Sequence, residues 1–252
     1  MAHEKIEIRT DDGVCPAHVF HPDGDGPWPG VLFYMDGVGM RPAIVAVAER
    51  VAAGGYYVLM PDVFWRAGAY VAPDPKKLFT DEATRSEWFT KVRAAGAPDK
   101  VMKDTAAFLA HLAAQPKVQP PRVAAVGYCM GGRLAFSAAG HYPDRISAVG
   151  AFHPGNLATD EADSPHLLAS KMKARVYVGG ARDDANFSDE QKRRLAEALG
   201  AAGVEHQIET YAARHGWVPS DMPVHDPAEA ERHFAALFAL LARVNASAGA
   251  RP

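Results

Sequence analysis

Cys129 lies between glycines in the run Val126-Gly127-Tyr128-Cys129-Met130-Gly131-Gly132. The apolar stretch 123–126 precedes it, and a helix-compatible stretch over 133–140 follows. This is the G-x-S-x-G pattern of a nucleophile elbow with cysteine in place of serine. The backbone of the nucleophile in such a strand-to-helix turn is strained, and a Cβ at Gly127 or Gly131 would crowd it. The turn lifts the sulfur above the carboxyl edge of a sheet. It also sets the sulfur at a helix N-terminus, where the dipole favours thiolate over thiol.

A thiol nucleophile needs a base, and the base needs an orienting acid. For an elbow nucleophile the expected chain order is nucleophile, acid, histidine. Downstream of Cys129, a strand ending at Gly179-Gly180 runs into Ala181-Arg182-Asp183-Asp184. Asp183 is the chosen acid, with Asp184 as the alternative. After the last strand comes Ala213-Arg214-His215-Gly216-Trp217, and His215 is the expected base. In these roles His215 pairs with Cys129, and Asp183 fixes the imidazole tautomer and steadies its positive form. The sulfur would attack an ester or lactone carbonyl. The tetrahedral oxyanion would rest on the N–H of Met130 and on one N–H near Gly37.

These residues need elements to position them. Period-two alternation over 5–9, turn residues at Asp11-Asp12-Gly13 and an extended pattern over 14–20 predict an antiparallel hairpin at a sheet edge. The continuous apolar run 30–35 reads as a strand buried on both faces. Further strands are expected over 56–60, 122–126, 148–152, 175–179 and 206–211. Helices are expected over 41–53, 99–114 (with Asp99 as cap), 188–199 (with Ser188 and Gln191 as a capping box) and 227–244. Strands alternating with helices imply an α/β domain, mostly a parallel sheet with helices on both faces. Ligands then bind at the carboxyl ends of the strands, where all the residues named above fall.

The whole chain narrows the choice. At 252 residues it fits one α/β domain, here residues 1–245, with 246–252 as a disordered tail. Hydrophobic residues make up 48% and charged ones 23%, with a net charge of −3 and no block of like charge, so nothing favours nucleic acid or an anionic membrane. The two cysteines, Cys15 and Cys129, make no disulfide framework and fit a reducing compartment, so a cytoplasmic location is expected. Cys15, inside an edge-strand pattern, reads as structural. No apolar run approaches the roughly 18 residues of a membrane span. No metal-ligand spacing or phosphate loop is present, so neither metal nor cofactor is expected. His153 ends a strand and reads as a solvated loop histidine outside the triad, with a place in the pocket lining as the alternative. Trp65, Tyr70, Phe79, Trp88 and Phe89 read mainly as packing residues, with an apolar lid as the alternative.

The cysteine elbow at 127–132, the segment Met35-Asp36-Gly37-Val38-Gly39, the pair Pro61-Asp62, the G-x-x-D at 180–183 and His215-Gly216-Trp217 together resemble the dienelactone hydrolase family. The resemblance runs over about 5–241. It implies the α/β-hydrolase fold, a Cys-His-Asp triad and no cofactor. It further implies a role for Asp36, where the family usually has a glutamate that contacts the resting thiol; Asp36 is one methylene shorter. Family members acting on anionic lactones place an arginine shortly after the catalytic histidine. Here Gly216-Trp217-Val218-Pro219 carries none, although Arg85 can align with an upstream one. The expected activity is hydrolysis of a small ester or lactone through a cysteine thioester. The alternatives are a general carboxylesterase or thioesterase, and a non-catalytic binding protein on the same scaffold.

Overall fold

Val31, Leu32, Phe33 and Tyr34 are all fully buried, so both faces of the strand they form are covered. A computed structural model describes the backbone of residues 1–248 and the side chains of residues 1–243. The strand is β3 (Trp28–Tyr34), near the centre of an eight-stranded sheet. The others are β1 (Ala2–Thr10), β2 (Gly13–His21), β4 (Tyr57–Pro61), β5 (Val118–Tyr128), β6 (Ile146–Phe152), β7 (Arg175–Ala181) and β8 (His206–Tyr211). Their order is β1-β2-β4-β3-β5-β6-β7-β8. β1 and β2 form the expected antiparallel hairpin, and β2 joins β4 antiparallel. The remaining neighbours pair parallel, so β3 and β5 through β8 end on the same edge.

The helices are α1 (Pro42–Ala53), α2 (Pro75–Thr80), α3 (Glu82–Arg93), α4 (Pro98–Ala114), α5 (Met130–His141), α6 (Asp189–Ala201) and α7 (Pro227–Ala248). Alternation along a strand sends successive side chains to opposite faces. On β3 the Tyr34 hydroxyl meets Thr105 of α4 at 2.7 Å, while Phe33 stacks toward Tyr128, whose hydroxyl meets His233 of α7 at 2.8 Å. So α4 and α7 cover opposite faces, as the doubly covered sheet requires. α1 sits with α7, where Arg50 lies over the Phe234 ring.

Local expectations fail in instructive places. Asp99 is not the cap of α4. Pro98 occupies the first turn, the N-cap is Ala97, and no side chain caps it. Pro is pre-set for that position because its missing N–H would have no helical partner there. Ser188 caps α6 by accepting the Gln191 N–H at 3.3 Å, but the Gln191 side chain reaches Asn186 and Ala158, so only half of a capping box forms. The stretch between β4 and α4 holds α2 and α3, which apolar periodicity did not announce. Asp74 and Asp81 cap them, and α3 buries only Trp88 and Val92. α7 runs past Val244 to Ala248, so part of the expected tail is helical; residues 249–252 lie outside the described residues.

Candidate active site

The elbow forms where β5 meets α5. Cys129 stands between Tyr128, the last residue of β5, and Met130, the first of α5, with φ 54° and ψ −118°. This is a sparsely populated region for a residue with a Cβ, and such strain persists only where the surroundings enforce it. The glycines show how they do so. A Cβ on Gly127 would stand 2.0 Å from the Gly131 carbonyl oxygen. One on Gly131 would stand 2.3 and 2.4 Å from the carbonyls of Tyr34 and Met35. The start of α5 is therefore pressed against the end of β3. This brings Met130, whose N–H belongs to the unpaired first turn of the helix, up to the loop carrying Gly37. Cys129 is half-buried, whereas Cys15 is fully buried and its thiol is pushed far up, chiefly by desolvation.

His215 lies between two partners. Its Nδ1 is 2.7 Å from Asp184 Oδ2, and the charge of Cys129 acts on it as well. Burial pushes its proton affinity down, but the charge of a Cys129 thiolate and the Asp184 hydrogen bond outweigh burial and raise its pKa to about 10. Asp184 is a buried carboxylate. Desolvation raises its pKa, yet the His215 contact and the Asn186 amide, which donates to Oδ1 at 2.9 Å, leave it below the ordinary range.

The carboxylate beside the imidazole is thus Asp184, and the choice of Asp183 is corrected. Asp183 adopts φ 53° and is exposed. That left-handed residue turns the chain, so its own side chain goes outward while the next one goes inward. The Arg182 N–H donates to the Ala213 carbonyl at 3.0 Å, holding the acid loop to the histidine loop. Asp184 also caps the short helical turn Ala185–Phe187, a local role that two adjacent aspartates in a sequence do not distinguish.

Asp36 is buried after β3, and both its oxygens are engaged by Arg41. Nη1 donates to Oδ1 at 2.6 Å and Nη2 to Oδ2 at 3.0 Å, and the Val38 N–H adds a bond at 3.0 Å. Arg41 reaches on to Asp221, with Nε to Oδ2 at 2.7 Å and Nη2 to Oδ1 at 3.1 Å. The bridge ties the Gly37 loop to the loop after His215. The structure therefore finds Asp36 in an ion pair, where the resemblance implied a partner of the thiol. Arg41 and Asp221 went unnoticed in the sequence because they lie far apart along the chain.

His153 is not the solvated loop residue expected. It is fully buried, and its ring centroid lies 5.2 Å from that of His215. Of the aromatic residues between β4 and α4, Trp88 donates its indole N–H to the Gly37 carbonyl at 2.9 Å. The Tyr70 hydroxyl accepts from the Met40 N–H at 3.2 Å and donates to Asp62 at 2.7 Å. Phe79 is exposed. Arg85 is exposed too, on α3. Among the described residues, no group of three His, Cys, Asp or Glu side chains is arranged to hold a metal ion, and no helix is long and apolar enough to cross a membrane.

An eight-stranded sheet in this order, with a cysteine elbow after β5 and a carboxylate-bound histidine after β8, defines an α/β-hydrolase fold. The model of the dienelactone hydrolase family matches residues 15–245, and the chain belongs to that family. A Methylorubrum extorquens protein provisionally named carboxymethylenebutenolidase is 31% identical over 206 residues, 79% of this chain and 66% of that protein. The carboxymethylenebutenolidase of a Pseudomonas species is 36% identical over 89 residues, 35% of each chain. The chain thus spans less than two thirds of the length of these relatives. A Klebsiella pneumoniae structure provisionally assigned as a dienelactone hydrolase superposes with a TM-score of 0.81 at 20% identity, covering 96% of this chain and 98% of that one.

Proposed function

We propose that the protein is a hydrolase of small esters or lactones that works through a Cys129 thioester. The observation that carries this reading is His215, bonded to Asp184 and raised in proton affinity by the charge of Cys129, beside an enforced elbow. In the first half, the Cys129 thiolate attacks the carbonyl carbon and the π electrons move onto oxygen. The Met130 and Gly37 N–H groups receive that oxyanion. Collapse breaks the C–O bond, and protonated His215 gives its proton to the leaving alkoxide, yielding a thioester. In the second half, neutral His215 takes a proton from water as the water attacks the thioester. Collapse then returns the thiolate, the imidazolium and the free acid. Asp184 holds the ring with Nδ1 toward itself, leaving Nε2 for the proton transfers. Asp36 acts here as the buried anchor of the Gly37 loop. The two unpaired cysteines fit a reducing, cytoplasmic setting.

The test is Cys129→Ala with an activated ester such as p-nitrophenyl acetate, together with mass spectrometry of acid-quenched wild type. Turnover should vanish in the variant while its circular dichroism is unchanged, and the wild type should carry one acyl group on Cys129. Retained turnover in the variant would overturn the reading.

A further inference from the structure

His153 follows β6 with φ +38°, a left-handed conformation that is strained for any residue with a side chain. Its ring lies edge-on to Trp217 at 4.9 Å and 5.9 Å from Tyr128, besides its contact with His215. Trp217 stacks in turn on Tyr211 at 4.7 Å. A column of rings therefore leads from the core to the imidazole of His215. The His153 side chain is wholly enclosed, and neither of its nitrogens has a hydrogen-bond partner. Phenylalanine would fill this space without burying two polar nitrogens, so packing alone gives no reason for an imidazole.

We infer that His153 is a positioning residue for His215: an uncharged, buried dipole, free to choose its tautomer, that holds and stabilises the imidazolium of His215. The inference rests on His215 serving as the acid and base proposed above. Since no hydrogen bond fixes either nitrogen, the proton of neutral His153 can sit on either one. The field of a protonated His215 selects the tautomer whose bare nitrogen is turned toward it. Because the His153 ring is fully buried, that charge–dipole attraction is less screened than it would be in water.

The role requires His153 itself to stay neutral. Desolvation drives its proton affinity well down, and the positive charges of His215 and Arg41 act in the same direction. The groups around it are Tyr128 from β5, Trp217 and His215 from the loop after β8, His233 from α7, and Arg41 at the start of α1. Arg41 is held by Asp36 and Asp221, and His233 is buried and pushed down to about 3.

The test is nitrogen NMR of the intact protein labelled with 15N-histidine, with His215 and His153 assigned from His215→Gln and His153→Phe. In wild type, His153 should remain uncharged from about pH 5 to about pH 10, and its tautomer balance should shift as His215 loses its proton. In His153→Phe, the His215 midpoint should fall by about 0.5–1 pH unit. The alkaline limb of kcat should move down with it while KM holds. A His153 that titrates near neutrality, or a tautomer balance indifferent to His215, would overturn the inference. So would a folded His153→Phe with the His215 midpoint unmoved. Should His153→Phe fail to fold, the wild-type titration decides, with assignment from His215→Gln and ring-to-ring contacts. The NMR readout does not depend on turnover, so loss of the hydrolase reading through Cys129→Ala would be seen separately.

Discussion

The indole N–H of Trp88 donates to the Gly37 carbonyl at 2.9 Å, tying helix α3 to the loop that follows β3. Trp88 is itself wedged against Tyr70 and Phe64, with ring centroids 5.3 and 6.0 Å away. The segment between β4 and α4 therefore reaches the loop of the proposed oxyanion donor through its backbone. Trp88→Phe keeps the ring and removes the donor. It should lower kcat roughly tenfold with little change in KM, by loosening the proposed Gly37 oxyanion donor without removing it. Steady-state kinetics on an activated ester checks this, and an equal rise in KM would point instead to substrate contact.

The adjacent aspartates should separate cleanly. Asp184→Asn leaves the shape intact but disturbs the tautomer and charge beside His215. It should cost kcat about 10²- to 10⁴-fold. Asp183→Asn, altering an exposed turn residue that tolerates the same left-handed backbone, should stay within about threefold. The ratio of the two kcat values is the measurement.

Proton uptake at His215 has a definite sign. Its folded pKa, about 10, lies above the ordinary histidine value. The stability this contributes is full below about pH 6.5, declines as pH rises beyond it, and is gone once pH passes about 10. The Asp184 carboxyl is shifted the other way, so its contribution is present above about pH 3.9 and lost as pH falls through its lower folded value. Activity should fall on the alkaline side with a midpoint near that of His215, since the leaving group then loses its proton donor. In Cys129→Ala the His215 midpoint should drop, because the thiolate charge is the largest influence raising it. Imidazole NMR across the alkaline range reads both effects.

The two thiols differ in access and chemistry. Iodoacetamide should modify the native protein once, at half-buried Cys129, and reach Cys15 only after denaturation. Peptide mass spectrometry of native and denatured samples provides the count.

Arg41 and Asp36 form a buried pair, with side chains 5% and 4% exposed. Arg41→Met leaves Asp36 without its cation in a site poor in water and should destabilise by about 3–5 kcal/mol. Adding Asp36→Asn to that variant should recover much of the loss. Denaturant unfolding of the two single variants and the double variant tests the coupling.

The strand and helix pattern was legible because each element had to satisfy a local rule: alternation for the hairpin, unbroken apolar runs for β3 and β5–β7, and glycines at the elbow. α2 and α3 escaped because they bury little, so their hold comes from caps and from Trp88. His153 escaped for the opposite reason. A polar residue at a strand end normally meets water, and only the packing of Trp217 and Tyr128 around it reverses that expectation.

Residue types and their order along the chain determined the family and pointed to Cys129 as nucleophile candidate and His215 as base candidate, because a strained turn admits only small flanking residues and strand ends share one edge. Tertiary structure alone decided which carboxylate meets the imidazole, that Arg41 ties Asp36 to Asp221, and that His153 stands behind His215. Those choices depend on a left-handed turn at Asp183 and on side chains meeting across loops. Contacts of that kind are set by geometry in space, on which neighbouring letters in a sequence place no constraint.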